Sequence, residues 1–130
     1  MIFILTLHTR FLLFSLRFSI CGATGKVTTL KILVFSDSHR SRADMLQAIE
    51  EQQPDQVIHL GDLITDAEEL TYVYPRLPIC MVPGNCDGWT TDPLERQFMV
   101  CGKRVLLSHG HIWHVKQGYD AALRAARNAG

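Results

Sequence analysis

Four short apolar runs in this sequence are each followed directly by a cluster of polar residues. The runs cover residues 30–35, 57–60, 79–82 and 105–107. Runs of this length that end in Gly, Asp or Asn predict buried β-strands. The carboxyl ends of strands share one edge in an α/β sheet, so we expect the polar clusters to meet there. The pattern therefore predicts an α/β fold with one composite site.

The polar clusters carry the ligand types of a divalent metal site. They are Asp37-Ser38-His39, Gly61-Asp62, Gly84-Asn85-Cys86-Asp87 and His109-Gly110-His111. Carboxylate, imidazole and amide oxygen together suit divalent ions between soft zinc and hard magnesium, manganese among them. This set predicts a metal-dependent hydrolase.

In this order, the four motifs resemble those of the calcineurin-like metallophosphoesterases. Gly-Asn-Cys-Asp is similar to the small bacterial and archaeal phosphodiesterase branch, which includes the metallophosphoesterase-like subunit of retromer. The resemblance runs from about residue 30 to the last residue. It implies a partial αββα sandwich, with the first sheet and its helices present and the second half largely missing. It also implies hydrolysis of phosphate esters, of the phosphodiesterase type, by a hydroxide that bridges two divalent metals.

The resemblance also assigns metal ligands. It implies that Asp37, His39 and Asp62 hold one ion, and that Asp62, Asn85 and His109 hold the second. Mn²⁺ is the expected metal, with Ni²⁺, Zn²⁺, Fe²⁺ and Mg²⁺ as alternatives. For Asp37 and Asn85 the alternative is a turn residue, and for His39 it is a surface histidine.

Cys86 and Asp87 are the candidate catalytic residues, and Arg40 and His111 are the candidate substrate contacts. Many relatives have a histidine at the position of Cys86, which is thought to protonate the leaving oxygen while the next Asp orients it. A thiol with a pKa of about 8.5 is a poor acid at neutral pH, so esters of acidic alcohols such as aryl oxides are expected. The favoured alternative makes Cys86 only a small residue beside the site. His111 is an alternative to His109 as a metal ligand.

Between the motifs, the sequence predicts three helical segments and a hairpin. A helix is expected over residues 41–51 with Ser41 as its N-cap, a short helical or irregular segment over 66–72, and a final helix over 116–128. Gly102 and Lys103 predict a tight turn between two strands. We expect His59, inside the second strand, to be packed or hydrogen-bonded rather than a ligand.

Residues 1–29 do not fit this scheme, whereas the resemblance implies that residues 30–130 form an incomplete metallophosphoesterase domain. The first twenty residues are apolar, but Arg10 and Arg17 interrupt them and each costs about 2.5–3.5 kcal/mol in a membrane-spanning helix. Three interpretations stay open: an upstream extension with the true start near Val27, a weak membrane or signal-like segment, or a structured extension.

Composition limits the partners. The 130 residues allow one domain, and thirteen basic residues balance thirteen acidic ones. We therefore expect no specific nucleic-acid partner and no firm membrane association, but a small phosphate ester as substrate. Four cysteines without a C-x-x-C pair indicate no disulfide framework and a cytoplasmic location.

A further family motif, Gly-His-x-His, does not occur in the sequence. Its absence predicts weaker metal binding and impaired turnover. Without the remaining strands, the inner face of the first sheet would lack a partner layer, which favours association of copies. The alternatives to an active phosphodiesterase are a non-catalytic scaffold of the same fold and an inactive fragment.

Overall fold

The computed structural model describes the backbone of residues 2–5 and all of residues 11–130. The described part is mixed α/β, which confirms the predicted fold class. Its strands and α-helices, in chain order, are β1 (Ile2–Leu5), β2 (Leu12–Cys21), β3 (Val27–Ser36), α1 (Arg42–Gln52), β4 (Gln56–His59), α2 (Ile64–Val73), β5 (Ile79–Met81), β6 (Glu95–Val100), β7 (Lys103–Ser108) and α3 (Asp120–Asn128), and a short 3-10 helix covers His111–Trp113.

A four-stranded sheet has the order β2-β3-β4-β5. Strands β3, β4 and β5 are parallel, and β2 is antiparallel to β3. Phe35 pairs with His59, and His59 pairs with Met81, so the three parallel strands end at one level. The motifs that follow them consequently begin side by side, as the sequence predicts.

Helices α1 and α2 cover one face of this sheet. Their buried side chains pack with those of β3 and β4 in one apolar cluster of Leu33, Phe35, Met45, Ala48, Ile49, Val57 and Leu70. Ser41 stands at the N-cap position of α1, as predicted, although its side chain makes no capping hydrogen bond. Its backbone N–H instead donates to the Ser38 carbonyl at 2.7 Å, in a turn that enters the helix.

A second sheet, of order β1-β7-β6, covers the opposite face. The two sheets share a cluster of buried residues: Ile32, Val34, Ile58, Leu60, Val82, Val100, Val105 and Leu107. The expectation that the inner face of the first sheet lacks a partner layer is therefore wrong. The β6–β7 hairpin supplies that layer, because its alternating apolar side chains face the first sheet.

The turn of the β6–β7 hairpin lies one residue earlier than predicted. Val100 pairs with Lys103, so Cys101 and Gly102 form the turn. Their φ angles of 50° and 76° are both positive, as a two-residue type I′ turn requires. The prediction assigned Cys101 to the preceding strand and Gly102-Lys103 to the turn.

In the structure, the N-terminal region forms strands. Strand β2 pairs with β3 over ten residues, and half-buried Phe14, Leu16 and Phe18 pack against the shared core. Ser15 and Arg17 alternate with them on the exposed side, which accounts for the polar interruptions in this apolar run. The backbone of β1 pairs in parallel with β7, whereas Arg10 lies outside the described residues. Whether natural translation begins near Val27 stays a prediction.

Within the described ranges, no helix combines the length and the apolar character that a bilayer crossing needs.

Candidate metal centre

The four motif loops meet at one edge of the molecule, which we call the ligand edge and define as residues 36–41, 59–66, 83–87 and 108–111. Three of these loops follow strands of the first sheet, and the fourth follows β7 of the second sheet. Ligand atoms of Asp37, Asp62 and His109 lie within 4.8 Å of one another, and all three residues are buried. The structure thus brings together predicted ligands from both layers of the sandwich.

Hydrogen bonding orients the ring of His109 in a manner that suits a cation. Its Nδ1 lies 2.7 Å from the carbonyl oxygen of Leu60, which can only accept, so Nδ1 carries the proton. In the neutral ring, Nε2 then presents a lone pair 3.0 Å from Asn85 Oδ1 and 3.5 Å from Asp62 Oδ1. Asn85 keeps its oxygen turned this way, because its Nδ2 donates to Cys86 Sγ at 3.3 Å.

Three electron-pair donors therefore face one another without a hydrogen atom between them. A neutral imidazole whose other nitrogen is bound to a carbonyl is the usual metal-binding form of histidine. Adding the carboxylate of Asp37 gives a nitrogen and oxygen donor set of the kind that divalent transition ions accept. The residues present fit a divalent metal.

Asp62 lies between two groups of donors. Its Oδ1 faces His109, whereas its Oδ2 lies 3.9 Å from Nε2 of His39, a side chain that is 44% exposed. His39 and Asp37 belong to one predicted ion, and Asn85 and His109 belong to the other. This placement is the one that a bridging role for Asp62 predicts, although the assignment of each ligand to an ion stays a prediction.

The charge state of Asp62 follows from opposing effects. Burial raises the pKa of its carboxyl group, but the backbone N–H of Cys86, which donates to Oδ1 at 2.9 Å, lowers it. His109 and His39 lower it further when they are protonated, and the net shift is downward. Asp62 is therefore ionised at neutral pH and available as an anionic ligand.

The carboxylate of Asp87 is turned towards the backbone. One oxygen accepts the N–H groups of Leu63 and Ile64 at 2.9 and 2.6 Å, and the other accepts those of Asp62 and Gly84 at 2.9 and 2.6 Å. An anion in this position satisfies the first donors of α2 and its helix dipole. Asp87 thus joins two ligand-bearing loops, and its candidate catalytic role stays a prediction.

Cys86 is exposed at the ligand edge. Partial burial raises the pKa of its thiol, and the carboxylates of Asp62, Asp87 and Asp37 raise it further. The thiol is consequently protonated at neutral pH and a weaker acid than a free cysteine. A direct catalytic role for Cys86 stays a prediction.

The two candidate substrate contacts lie in different surroundings. The ring of half-buried His111 lies 5.5 Å from that of His109, and among the described residues its buried Nδ1 finds no hydrogen-bond partner. Burial lowers the pKa of His111, and His109 lowers it further. Arg40 is exposed and lines a groove between α1 and α2 with Arg42 and Glu69. Substrate contact by either residue stays a prediction.

Several residues that the sequence analysis did not single out support the ligands. Ser38 and Asp66 are buried and hydrogen-bonded to each other at 2.7 Å. The available signal for Asp66 was its place four residues after Asp62, in the first turn of α2. His59 was expected to be hydrogen-bonded rather than a ligand, and its contacts with Ser38 and Gly61 confirm the hydrogen bonding.

Two glycines allow the loops to approach closely. A Cβ on Gly61 would overlap backbone atoms of Gly84, and a Cβ on Gly84 would lie 2.9 Å from His109 Nδ1 and overlap Asp62 Oδ1. Because glycine lacks a Cβ, the loops after β4 and β5 pack backbone to backbone. Gly61 and Gly84 are therefore required for the close packing of these two loops.

Comparisons with known proteins agree with this geometry. The chain is 36% identical over 93 residues to the probable metallophosphoesterase YsnB of Bacillus subtilis (strain 168), covering 68% of this chain and 51% of that protein. Its fold is similar to the crystal structure of a conserved uncharacterized protein of Streptococcus pneumoniae TIGR4, described as a predicted phosphoesterase. That match has a TM-score of 0.61 and 21% identity, and it covers 75% of this chain and 55% of the other.

The chain therefore spans about half the length of both relatives. Residues 30–130 match the model of the calcineurin-like phosphoesterase superfamily domain, and they include every motif at the ligand edge. Three findings (a shared domain, a similar sequence and a similar fold) thus agree with the donor set. The chain belongs to the calcineurin-like phosphoesterase superfamily.

Proposed function

We propose that this protein hydrolyses phosphate esters, of the diester type, with two divalent cations and preferably Mn²⁺. The observation that carries the proposal is the convergence of Asp37, Asp62 and His109, with the imidazole lone pair of His109 directed at oxygen ligands. Family membership supports an ester-bond hydrolase. Because the chain spans about half of its relatives, the activity itself is part of the proposal.

When bound, two cations would neutralise phosphoryl oxygens and acidify the attacking water. The protein residues hold and shape the site. Asp62 supplies the shared anionic ligand, while neutral Asn85 adds an oxygen without cancelling positive charge. His109 is held by Leu60, so its Nε2 is presented in one orientation.

The chemistry of Cys86 determines which leaving groups we expect. Since its thiol pKa is raised, Cys86 does not act as an efficient proton donor at neutral pH. The preferred substrates are therefore diesters of acidic alcohols, such as aryl esters. His111, whose ring lies 5.5 Å from that of His109, hydrogen-bonds a phosphoryl oxygen, and Arg40 adds positive charge nearby.

Location and partners are part of the same proposal. The four cysteines of the chain are free, in keeping with a reducing, cytoplasmic setting. Equal numbers of acidic and basic residues favour a small phosphate ester over nucleic acid as the substrate. Self-association of the chain is a further proposal, which sedimentation analysis tests.

The test measures Mn²⁺ binding by calorimetry and hydrolysis of bis(p-nitrophenyl) phosphate by the full chain. Binding is expected in the wild type and lost in Asp62→Ala, while weak diester hydrolysis exceeds hydrolysis of p-nitrophenyl phosphate. Asp92→Asn is the matched control, because Asp92 is a half-buried loop carboxylate bonded to Thr90. Equal Mn²⁺ binding by wild type and Asp62→Ala would contradict the proposal. Binding without any hydrolysis would favour the non-catalytic scaffold.

A further inference from the structure

His59 is a buried polar residue that lies beside the metal centre but does not belong to its ligands. It ends β4, three residues before Asp62, and its side chain is fully buried. The N–H of Gly61 donates to its Nδ1 at 3.2 Å, and its Nε2 lies 3.0 Å from Ser38 Oγ. Because a backbone N–H can only donate, Nδ1 is the acceptor and Nε2 carries the proton of the neutral ring.

From His59, a directed chain of hydrogen bonds crosses to the neighbouring loop. Nε2–H donates to Ser38 Oγ, and the Ser38 hydroxyl donates to Asp66 Oδ2 at 2.7 Å. The same Asp66 oxygen accepts the N–H of Arg40 at 2.8 Å. The Ser38 hydroxyl also lies 3.3 Å from the carbonyl oxygen of Asp62, so the loops after β3 and β4 and the first turn of α2 are joined.

This chain of hydrogen bonds acts on strained backbone. The non-glycine residues with positive φ in the two loops are Asp37, His39, Arg40, Asp62 and Leu63, at 55°, 41°, 70°, 59° and 75°. A left-handed conformation costs about 1–2 kcal/mol per such residue. It persists only where surrounding contacts hold it, and three of these residues are candidate ligands.

We propose that His59 is a positioning residue, which holds the loops of Asp37 and Asp62 at the spacing needed to bind the same cations. It does so through Ser38 on one side and Gly61 on the other, without touching a cation itself. Burial lowers the pKa of His59 to about 4, so the ring is neutral under ordinary conditions and the bond directions above apply. The inference rests on the proposed function.

Replacement of the ring tests the inference. His59→Phe preserves most of the volume and removes both hydrogen bonds, and it is expected to weaken Mn²⁺ binding about tenfold or more. His59→Gln, which retains a donor for Ser38, is expected to restore part of that affinity. Binding is measured by calorimetry on the full chain, at a temperature where thermal melting shows each variant to be folded.

Val57→Ala is the matched control, because Val57 lies two residues earlier on the same face of β4 and is also fully buried. It should lower the melting temperature but leave Mn²⁺ affinity unchanged. Equal affinity of wild type and His59→Phe, or equal losses in His59→Phe and Val57→Ala, would overturn the inference while the proposed function stands.

A second variant covers the case in which His59→Phe does not fold. Ser38→Ala interrupts the same chain at its next member and is expected to weaken Mn²⁺ binding in the same way, whereas unchanged binding would overturn the inference. Failure of the wild type to bind Mn²⁺ would overturn the proposed function and the inference together, so the two failures are distinguishable.

Discussion

The ligand edge and the N-terminal hairpin, which we define as residues 12–31, use the same sheet in opposite ways. At the ligand edge lie all buried polar or charged residues of the described part: Ser36, Asp37, Ser38, His59, Asp62, Asp66, Ser108 and His109. In the hairpin, the inward side chains are apolar and the outward ones are largely polar or charged. The stability of the hairpin depends on the alternation of apolar and polar side chains, whereas that of the ligand edge depends on individual hydrogen bonds.

The backbone shows the same contrast. Five non-glycine residues of the ligand edge have positive φ, whereas in the hairpin positive φ occurs at Gly25 in its turn. Buried polar groups are costly unless each has a partner, and strained residues persist only when they are held. The same type of substitution should therefore lower the free energy of unfolding more at the ligand edge than in the hairpin.

The largest difference is expected from Gly→Ala at two glycines of positive φ. Gly61→Ala drives a methyl group into Gly84, 2.6 Å from its Cα, and should cost about 4 kcal/mol or more through overlap and strain. Gly25→Ala has open space within 4 Å and should cost only the strain, about 1–2 kcal/mol. Urea unfolding measures both, and equal losses would break the comparison.

The next largest effect is expected from Asp87→Asn. An amide cannot accept four N–H groups and turns a donor towards some of them, so we expect a loss of about 3 kcal/mol in unfolding free energy. Asp92→Asn changes a loop carboxylate whose side chain is 39% exposed. It should cost less than about 1 kcal/mol, because a solvent-accessible ion pair such as that with Arg96 contributes little. A loss below that of the control would mean that Asp87 does not anchor the loops.

A pH effect of intermediate size is expected from His59. Its pKa is lowered to about 4 in the folded protein from 6.5, chiefly by burial, so between these values the unfolded state binds the extra proton. Stability is therefore fully present above pH 6.5 and falls as the pH is lowered towards 4, by about 2 kcal/mol between pH 7 and pH 5. In His59→Phe this part of the slope should vanish, and a persistent slope would assign it to other groups.

An effect of similar size on stability, but none on metal binding, is expected in the hairpin. Phe14→Ala removes a half-buried ring from the shared core and should cost about 2 kcal/mol, below the range for fully buried rings. Because Phe14 packs against the apolar core and lies outside the ligand edge, Mn²⁺ affinity should not change. An affinity loss as large as that of His59→Phe would remove the distinction between the two regions.

Much of the first sheet could be predicted from its sequence. Apolar runs and turn residues located β3, β4 and β5, and their shared direction predicted that Asp37, Asp62 and Asn85 would meet. The hairpin was harder to identify. Phe14, Leu16 and Phe18 alternate with period 2, as in a strand. The high apolar content of the first twenty residues, however, also fitted a membrane or signal-like segment.

Other features depend on tertiary contacts and are not encoded locally. Positive φ at Asp62 is unfavourable for an isolated residue, and in the fold the bond from its N–H to Asp87 helps to hold it. The bond between Ser38 and Asp66 joins residues 28 positions apart, so no local pattern announces it. The turn at Cys101 and Gly102 places a cysteine at a positive-φ position, where propensity alone favours Asn, Asp or Gly.

The hydrogen bond between His109 and Leu60 has a consequence for the whole sandwich. His109 follows a strand of one sheet and Leu60 follows a strand of the other, so the donor set exists only while the two layers keep their alignment. A bound cation would be held by ligands from both sheets and would stabilise their alignment. At a free concentration one hundred times its dissociation constant, such an ion adds about 2.7 kcal/mol to the folded state. The free concentration of that ion would then set part of the free energy of unfolding of this protein.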